Sequence, residues 1–186
     1  MPPPSADLAR IRRLSTVCAL ACVVLAVALP ILGAGVWAFA SADQLAAQGP
    51  GRLGAPDWIF PGGVQPWQRL GGGLVSTVPT LILSYGLIRA RRGLAAFGRG
   101  DFFASGAGAD LAAFAAAVFW VVVANLVQVP ALSLAVTIAN PPGHRELSLG
   151  VNSQQFIELV TAGILWVMAA ALSRAATLAR ENEQFV

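Results

Sequence analysis

The chain alternates long apolar stretches with short segments that carry its arginines and prolines. Four apolar stretches stand out, at about residues 14–40, 72–90, 109–135 and 156–178. At a helical rise of ~1.5 Å per residue, each can cross the ~30 Å hydrocarbon layer of a bilayer. Backbone groups in lipid must pair within a helix or a closed barrel, and the alternating pattern of barrel strands is absent from the sequence. The pattern therefore predicts an all-α integral membrane four-helix bundle, with residues 1–186 in a single transmembrane domain.

The arginines predict how the four spans are oriented. Nine of them fall on the side of the bundle that holds both chain ends, whereas Arg52, Arg69 and Arg145 fall on the other side. Cytoplasmic flanks of membrane helices are enriched in basic residues, so we expect both termini in the cytoplasm, an N-in/C-in arrangement. The first stretch is much longer than the ~7–15-residue apolar core of a secretion signal, which favours a retained helix.

Residues 41–71 form the expected outer loop between the first and second helices. This loop is rich in Gly and Pro, as in GPGRLGAPDWIFPGG. Such a composition is typical of consecutive turns, so we expect no further domain there. Its aromatic residues, including Trp58 and Trp67, are of the kind found at the level of the lipid headgroups.

Composition agrees with a membrane protein and argues against nucleic-acid binding. The chain is 56% hydrophobic and 11% charged, whereas an ordinary soluble domain has roughly 25% charged residues. Its net charge of +3 comes from arginines that bracket the apolar stretches. A nucleic-acid-binding protein would instead gather its basic residues on one exposed face.

Residues that could carry catalysis or bind a metal are few and far apart. His144 is the single histidine, and Cys18 and Cys22 are the only cysteines. The sequence shows no motif that would place a base beside a nucleophilic serine, and no pair of acidic residues positioned to act together in catalysis. We therefore expect no enzyme activity, no cofactor and no metal.

A stripe of small residues runs along the second predicted helix. Gly72, Ser76, Thr80 and Ser84 recur every four residues and so share one face. Membrane helices associate through close packing, which small side chains permit. We interpret the stripe as a helix-packing contact.

Three polar residues lie in the expected outer half of the bundle. Asn125 and Gln128 share a face of the third helix, and Glu158 lies in the first turn of the fourth. Polar groups at this depth are costly when they face lipid, so we expect them to face the interior or the interface. Two interpretations stay open, a structural hydrogen-bond cluster and a ligand or ion site.

The connection between the second and third spans is basic, and the C-terminal tail is acidic. Gly98 and Gly100 are expected to end the second helix. The residues that form a candidate cytoplasmic partner face are Arg89, Arg91, Arg92, Asp101, Glu181 and Glu183. The alternative is that the arginines contact lipid headgroups and that the tail is a solvated helix end.

Two motifs carry a resemblance to a known family. A helix that ends in basic residues is followed by a short helix and then by Gly100-Asp101-Phe102-Phe103, which opens the third span, and the last span is followed by ARENEQFV. These features resemble the bacterial family catalogued as domain of unknown function 2975. The resemblance implies a multi-pass protein of the bacterial inner (plasma) membrane, with four helices and no established activity.

Taken with the resemblance, the sequence favours a non-enzymatic regulatory or accessory protein that meets a protein partner at its cytoplasmic face. A small-solute transporter or channel, built on the polar residues of the outer half, is the alternative. A subunit of a larger membrane complex is a third interpretation. Membrane lipid is the other expected partner.

Overall fold

The computed structural model describes residues 6–48, 56–99, 106–145, 147–150 and 153–183. Within these ranges every regular element is helical. The elements are α1 (Ala6–Phe39), α2 (Ala42–Gln48), α3 (Pro56–Ile59), α4 (Pro66–Arg99), α5 (Ala107–Thr137) and α6 (Ser153–Glu183).

Four of these helices are long and apolar enough to cross a membrane. The spans that meet this description are Arg10–Phe39, Pro66–Ala96, Gly108–Thr137 and Ser153–Ala175. Most large apolar side chains on α1 and α6 are exposed, as expected of helices that contact lipid. The structure thus confirms the prediction of an all-α protein with four membrane-length helices.

The long helices pack in chain order, each antiparallel to the next. Across α1 and α4, Ser84 Oγ donates a hydrogen bond to the backbone oxygen of Ala26 at 2.7 Å. Across α5 and α6, Gly108 lies so close to Ser173 that a Cβ added to the glycine would overlap the serine hydroxyl. In the described residues α1 packs on α4, α4 on α5 and α5 on α6, with no comparable contact between α1 and α6. The bundle is therefore an open row with α1 and α6 at its edges.

Three of the long helices continue through a proline, a residue that usually bends or ends a helix. Pro30, Pro79 and Pro130 lie inside α1, α4 and α5. Similarly, α4 continues through Gly98 to Arg99, so the predicted end at Gly98 is wrong. The LAAF segment before Gly98 favours a helix, and the glycine lies against α1. Gly100 falls outside the described residues.

The expectation that residues 41–71 contain only turns is also wrong, because α2 and α3 lie there. Ser41 and Gln44 form a capping box at the start of α2, with Ser41 N donating to Gln44 Oε1 at 3.0 Å. These short helices pack on the ends of α1 and α5. The resulting core cluster consists of Trp37, Leu45, Ile59, Phe60, Leu132 and Val136.

Candidate functional site

The start of α1 and the end of α4 meet at one end of the row, which we call the basic end. Arg12 Nη2 on α1 lies 3.5 Å from the backbone oxygen of Arg99 on α4. The exposed arginines of α1 and α4 at this end are Arg10, Arg12, Arg13, Arg91, Arg92 and Arg99. Antiparallel packing therefore gathers on one surface arginines that are almost 90 residues apart in the chain.

Arg89 differs from its neighbours because it forms an ion pair between helices. Its Nε lies 2.8 Å from Asp110 Oδ1 on α5, and both side chains are partly buried, with exposed fractions of 29% and 17%. A carboxylate this close neutralises the guanidinium locally and joins the two helices. Arg89 therefore contributes less to the exposed charge of the basic end than Arg91 or Arg92.

The acidic members of the predicted partner face are distributed differently. Glu181 and Glu183 belong to the last turn of α6. Because α6 runs antiparallel to α5, that turn lies towards the basic end. Asp101 falls outside the described residues. The structure therefore brings the arginines of α1 and α4 together, and the end of α6 lies at the same end of the row.

The stripe of small residues on α4 faces α1 at three of its four positions. Gly72 is buried against Trp37, and Trp37 Nε1 donates to Ser76 Oγ at 2.9 Å. Ser84, as described above, bonds to α1. Thr80 Oγ1 instead donates to the backbone oxygen of Thr77 within α4, at 2.8 Å. A large side chain at Gly72 would displace the indole ring of Trp37.

The three polar residues of the predicted outer cluster are not joined by hydrogen bonds to one another. Asn125 and Gln128 are half-buried on α5, and their side chains have no hydrogen bond in the described part of the chain. Glu158 Oε1 lies 3.5 Å from Gln154 Nε2. Its second oxygen, Oε2, is buried and has no donor among the described residues. Among these three described residues, Glu158 is therefore the one with a fully buried polar atom that lacks a partner.

A different pair of amides forms the buried polar centre at the end of the row opposite the basic end. Gln68 is 1% exposed, and its Nε2 donates to the backbone oxygen of Val136 at 2.7 Å. Asn140 is 4% exposed, and its Nδ2 donates to the backbone oxygen of Ile59 at 2.8 Å. These bonds join α4, the end of α5 and α3.

Sequence reasoning missed this pair because both residues lie outside the predicted spans, in segments interpreted as loop. A local signal exists for Gln68, which follows Pro66 at the start of α4. Its Oε1 accepts from Gln65 N at 2.8 Å, half of a capping box. No comparable signal in the sequence marks Asn140.

Two arginines outside the basic end bind helix C-terminal carbonyls. Arg69 Nη1 donates to the backbone oxygens of Trp37 at 2.8 Å and Ala38 at 3.0 Å, at the end of α1. Arg145 Nε donates to the backbone oxygen of Asn140 at 3.0 Å, just after α5. Cations at helix C-termini satisfy unpaired carbonyls and oppose the helix dipole. These two arginines therefore have structural roles that are independent of membrane orientation.

The described residues contain no group of three His, Cys, Asp or Glu side chains that could hold a metal ion. Cys18 and Cys22 are free thiols on α1. His144 is half-buried, and its backbone oxygen accepts from Asn140 Nδ2 at 3.3 Å.

Comparison of the chain with known protein families, with characterised proteins and with solved structures finds no match.

Proposed function

We propose that the chain is a non-enzymatic accessory or regulatory protein of a bacterial inner membrane, and that it binds a protein partner at the basic end. The positive-inside tendency would place this end in the cytoplasm. The observation that carries the proposal is the surface formed by exposed arginines of α1 and α4. Membership of the family that the sequence resembles is part of the same proposal.

The charge of this surface specifies the chemistry of the partner. Guanidinium groups bind carboxylates in a bidentate geometry that lysine cannot reproduce. Arg89 is already paired with Asp110, so recognition falls to the exposed arginines, of which Arg13 and Arg91 represent the two helices. An acidic protein segment is the partner that this surface fits.

Charge reversal at Arg13 and Arg91 is expected to release the partner. The double variant Arg13→Glu, Arg91→Glu would be purified from native membrane in mild detergent, and its associated proteins quantified by mass spectrometry. The control is Arg13→Lys, Arg91→Lys, which keeps both charges but loses the bidentate geometry, and it should retain more of the bound protein than the Glu variant. Both side chains are exposed, so the amount of folded protein should not change. An identical set of associated proteins in the unmodified chain and the Glu variant would contradict the proposal.

A second candidate function, passage of a small solute or ion, is favoured by one observation. Glu158 Oε2 is buried without a donor in the described residues. Ionisable groups in membrane helices are costly and often belong to ion or proton pathways. In the antiparallel pair α5 and α6, Gly108 lies against Ser173. Asn125 follows Gly108 by 17 residues and Glu158 precedes Ser173 by 15, so Asn125 and Glu158 lie at a similar depth.

Glu158→Gln separates these two functions. On the transport interpretation, vesicles that contain the unmodified protein dissipate an imposed pH gradient faster than protein-free vesicles, and the variant loses this difference. Thr161→Val is the control and should leave the rate unchanged, because the exposed Thr161 hydroxyl bonds to the backbone oxygen of Ile157 on the same helix and not to Glu158. Equal rates in the unmodified protein and in Glu158→Gln, with only a shift in melting temperature, would exclude Glu158 from proton passage.

A further inference from the structure

A groove between α4 and α5 lies on the exposed side of the row. Its volume is about 430 Å³, within the ~300–1,000 Å³ of small-molecule pockets. Alanines line the α5 side of the groove, and their small side chains leave space beside α4. The residues that line the groove are Ile82, Tyr85, Ala113, Ala116, Ala117 and Trp120.

Two aromatic side chains form the walls of this groove. Tyr85 on α4 is 56% exposed and Trp120 on α5 is 58% exposed. The ring of Trp120 packs edge-to-face on Phe119, with centroids 5.8 Å apart. The lining is mostly apolar, so the part of a ligand that fits it is a hydrocarbon chain.

The same face of α4 continues from the groove to the basic end. Arg89 and Arg92 follow Tyr85 by four and seven residues, so all three lie along one side of the helix. Arg92 is exposed about 10 Å along the axis from Tyr85, at ~1.5 Å per residue. Because Asp110 neutralises Arg89, Arg92 supplies the net positive charge at this end of the groove. Arg91 projects from a different side of the helix, the side of Ser84, which bonds to α1.

We propose that this groove binds an anionic phospholipid, with its phosphate at Arg92 and an acyl chain between Tyr85 and Trp120. Such a lipid has both features that the site offers, a hydrocarbon chain for the apolar groove and a negative group for the guanidinium. The inference does not depend on a protein partner, because lipid and this chain are sufficient.

Quenching of Trp120 fluorescence by lipids with brominated acyl chains tests the proposal. The full chain is reconstituted in vesicles that contain brominated phosphatidylglycerol, which is anionic, or brominated phosphatidylcholine, which is zwitterionic. The Trp120 signal is the difference between the unmodified protein and Trp120→Phe. We expect phosphatidylglycerol to be preferred roughly fivefold at this site, the effect of one arginine near the surface.

Matched variants assign the preference to the groove. Arg92→Gln should abolish it, whereas Arg91→Gln removes an equal charge one residue away and should preserve it. Ala116→Leu fills the groove without a change in charge and should reduce quenching by both lipids. No preference in the unmodified protein, or equal loss in the two arginine variants, would overturn the proposal. The absence of Trp120 quenching by either lipid would also overturn the proposal, because it would mean that the groove is covered by something other than lipid, such as a second copy of the chain.

Discussion

Replacement of Asn140 by alanine is expected to lower the melting temperature of the protein in detergent by about 5–10 °C. The change removes the donors to the backbone oxygens of Ile59 and His144, and Gln68 Nε2 loses a nearby acceptor at 3.4 Å. Buried groups left without partners cost about 1–3 kcal/mol. For a chain of this size, 1 kcal/mol corresponds to roughly 2–4 °C.

Asn125→Ala is the matched control, because it removes the same side chain from a half-buried position on α5. Asn125 has no side-chain hydrogen bond in the part of the chain that the structure describes. Its replacement should shift the melting temperature by no more than about 1–2 °C. Both variants are compared by thermal unfolding in the same detergent. Equal shifts would show that the Gln68 and Asn140 pair does not hold this end of the row together.

Gly86→Ala is expected to destabilise the protein by about 1–3 kcal/mol, the usual effect of overpacking. Gly86 is buried where α4 meets α5, and a Cβ added there would lie 2.6 Å from the Cβ of Ala117. That atom is fixed to the α5 backbone, so the two helices must separate. The loss should appear as a lower unfolding midpoint and as faster proteolysis of the native protein in detergent.

Gly163→Ala on α6 is the corresponding control. A Cβ at Gly163 meets no atom within 4 Å, and alanine favours a helix over glycine by up to about 1 kcal/mol. The stability of this variant should be unchanged or higher. If Gly86→Ala and Gly163→Ala behaved alike, the close contact between α4 and α5 would not contribute to stability.

Hydrophobic periodicity and length were sufficient to predict four helices, because lipid leaves the backbone few other ways to pair its polar groups. The same signal could not predict the ends of the helices. For example, α4 starts at Pro66 and ends at Arg99, beyond the predicted 72–90, because polar residues such as Gln68 and Arg69 are tolerated once they bind neighbouring backbone. Contacts with segments distant in the sequence therefore make the residues from Pro66 onward helical, although their composition predicted a loop.

In the candidate site, too, the position of a residue in a span could be predicted, whereas its partners could not. Arg91 and Arg92 could be singled out from their position at the end of a span, and the structure leaves both exposed. The pairing of Arg89 with Asp110 could not be predicted, since 21 residues and an intervening connection separate them in the sequence. Asn125 and Gln128 were chosen as candidate site residues only because of their expected depth in the membrane. Depth alone does not specify which groups an amide will bind.

The chain-order arrangement of the long helices has a consequence for biogenesis. Each hairpin can close as soon as its second member has been synthesised, since every extensive contact between long helices in the described residues joins one long helix to the next along the chain. Low sequence separation of this kind favours rapid, stepwise assembly. A ribosome-bound nascent chain that ends after α5 should already contain the first two hairpin contacts.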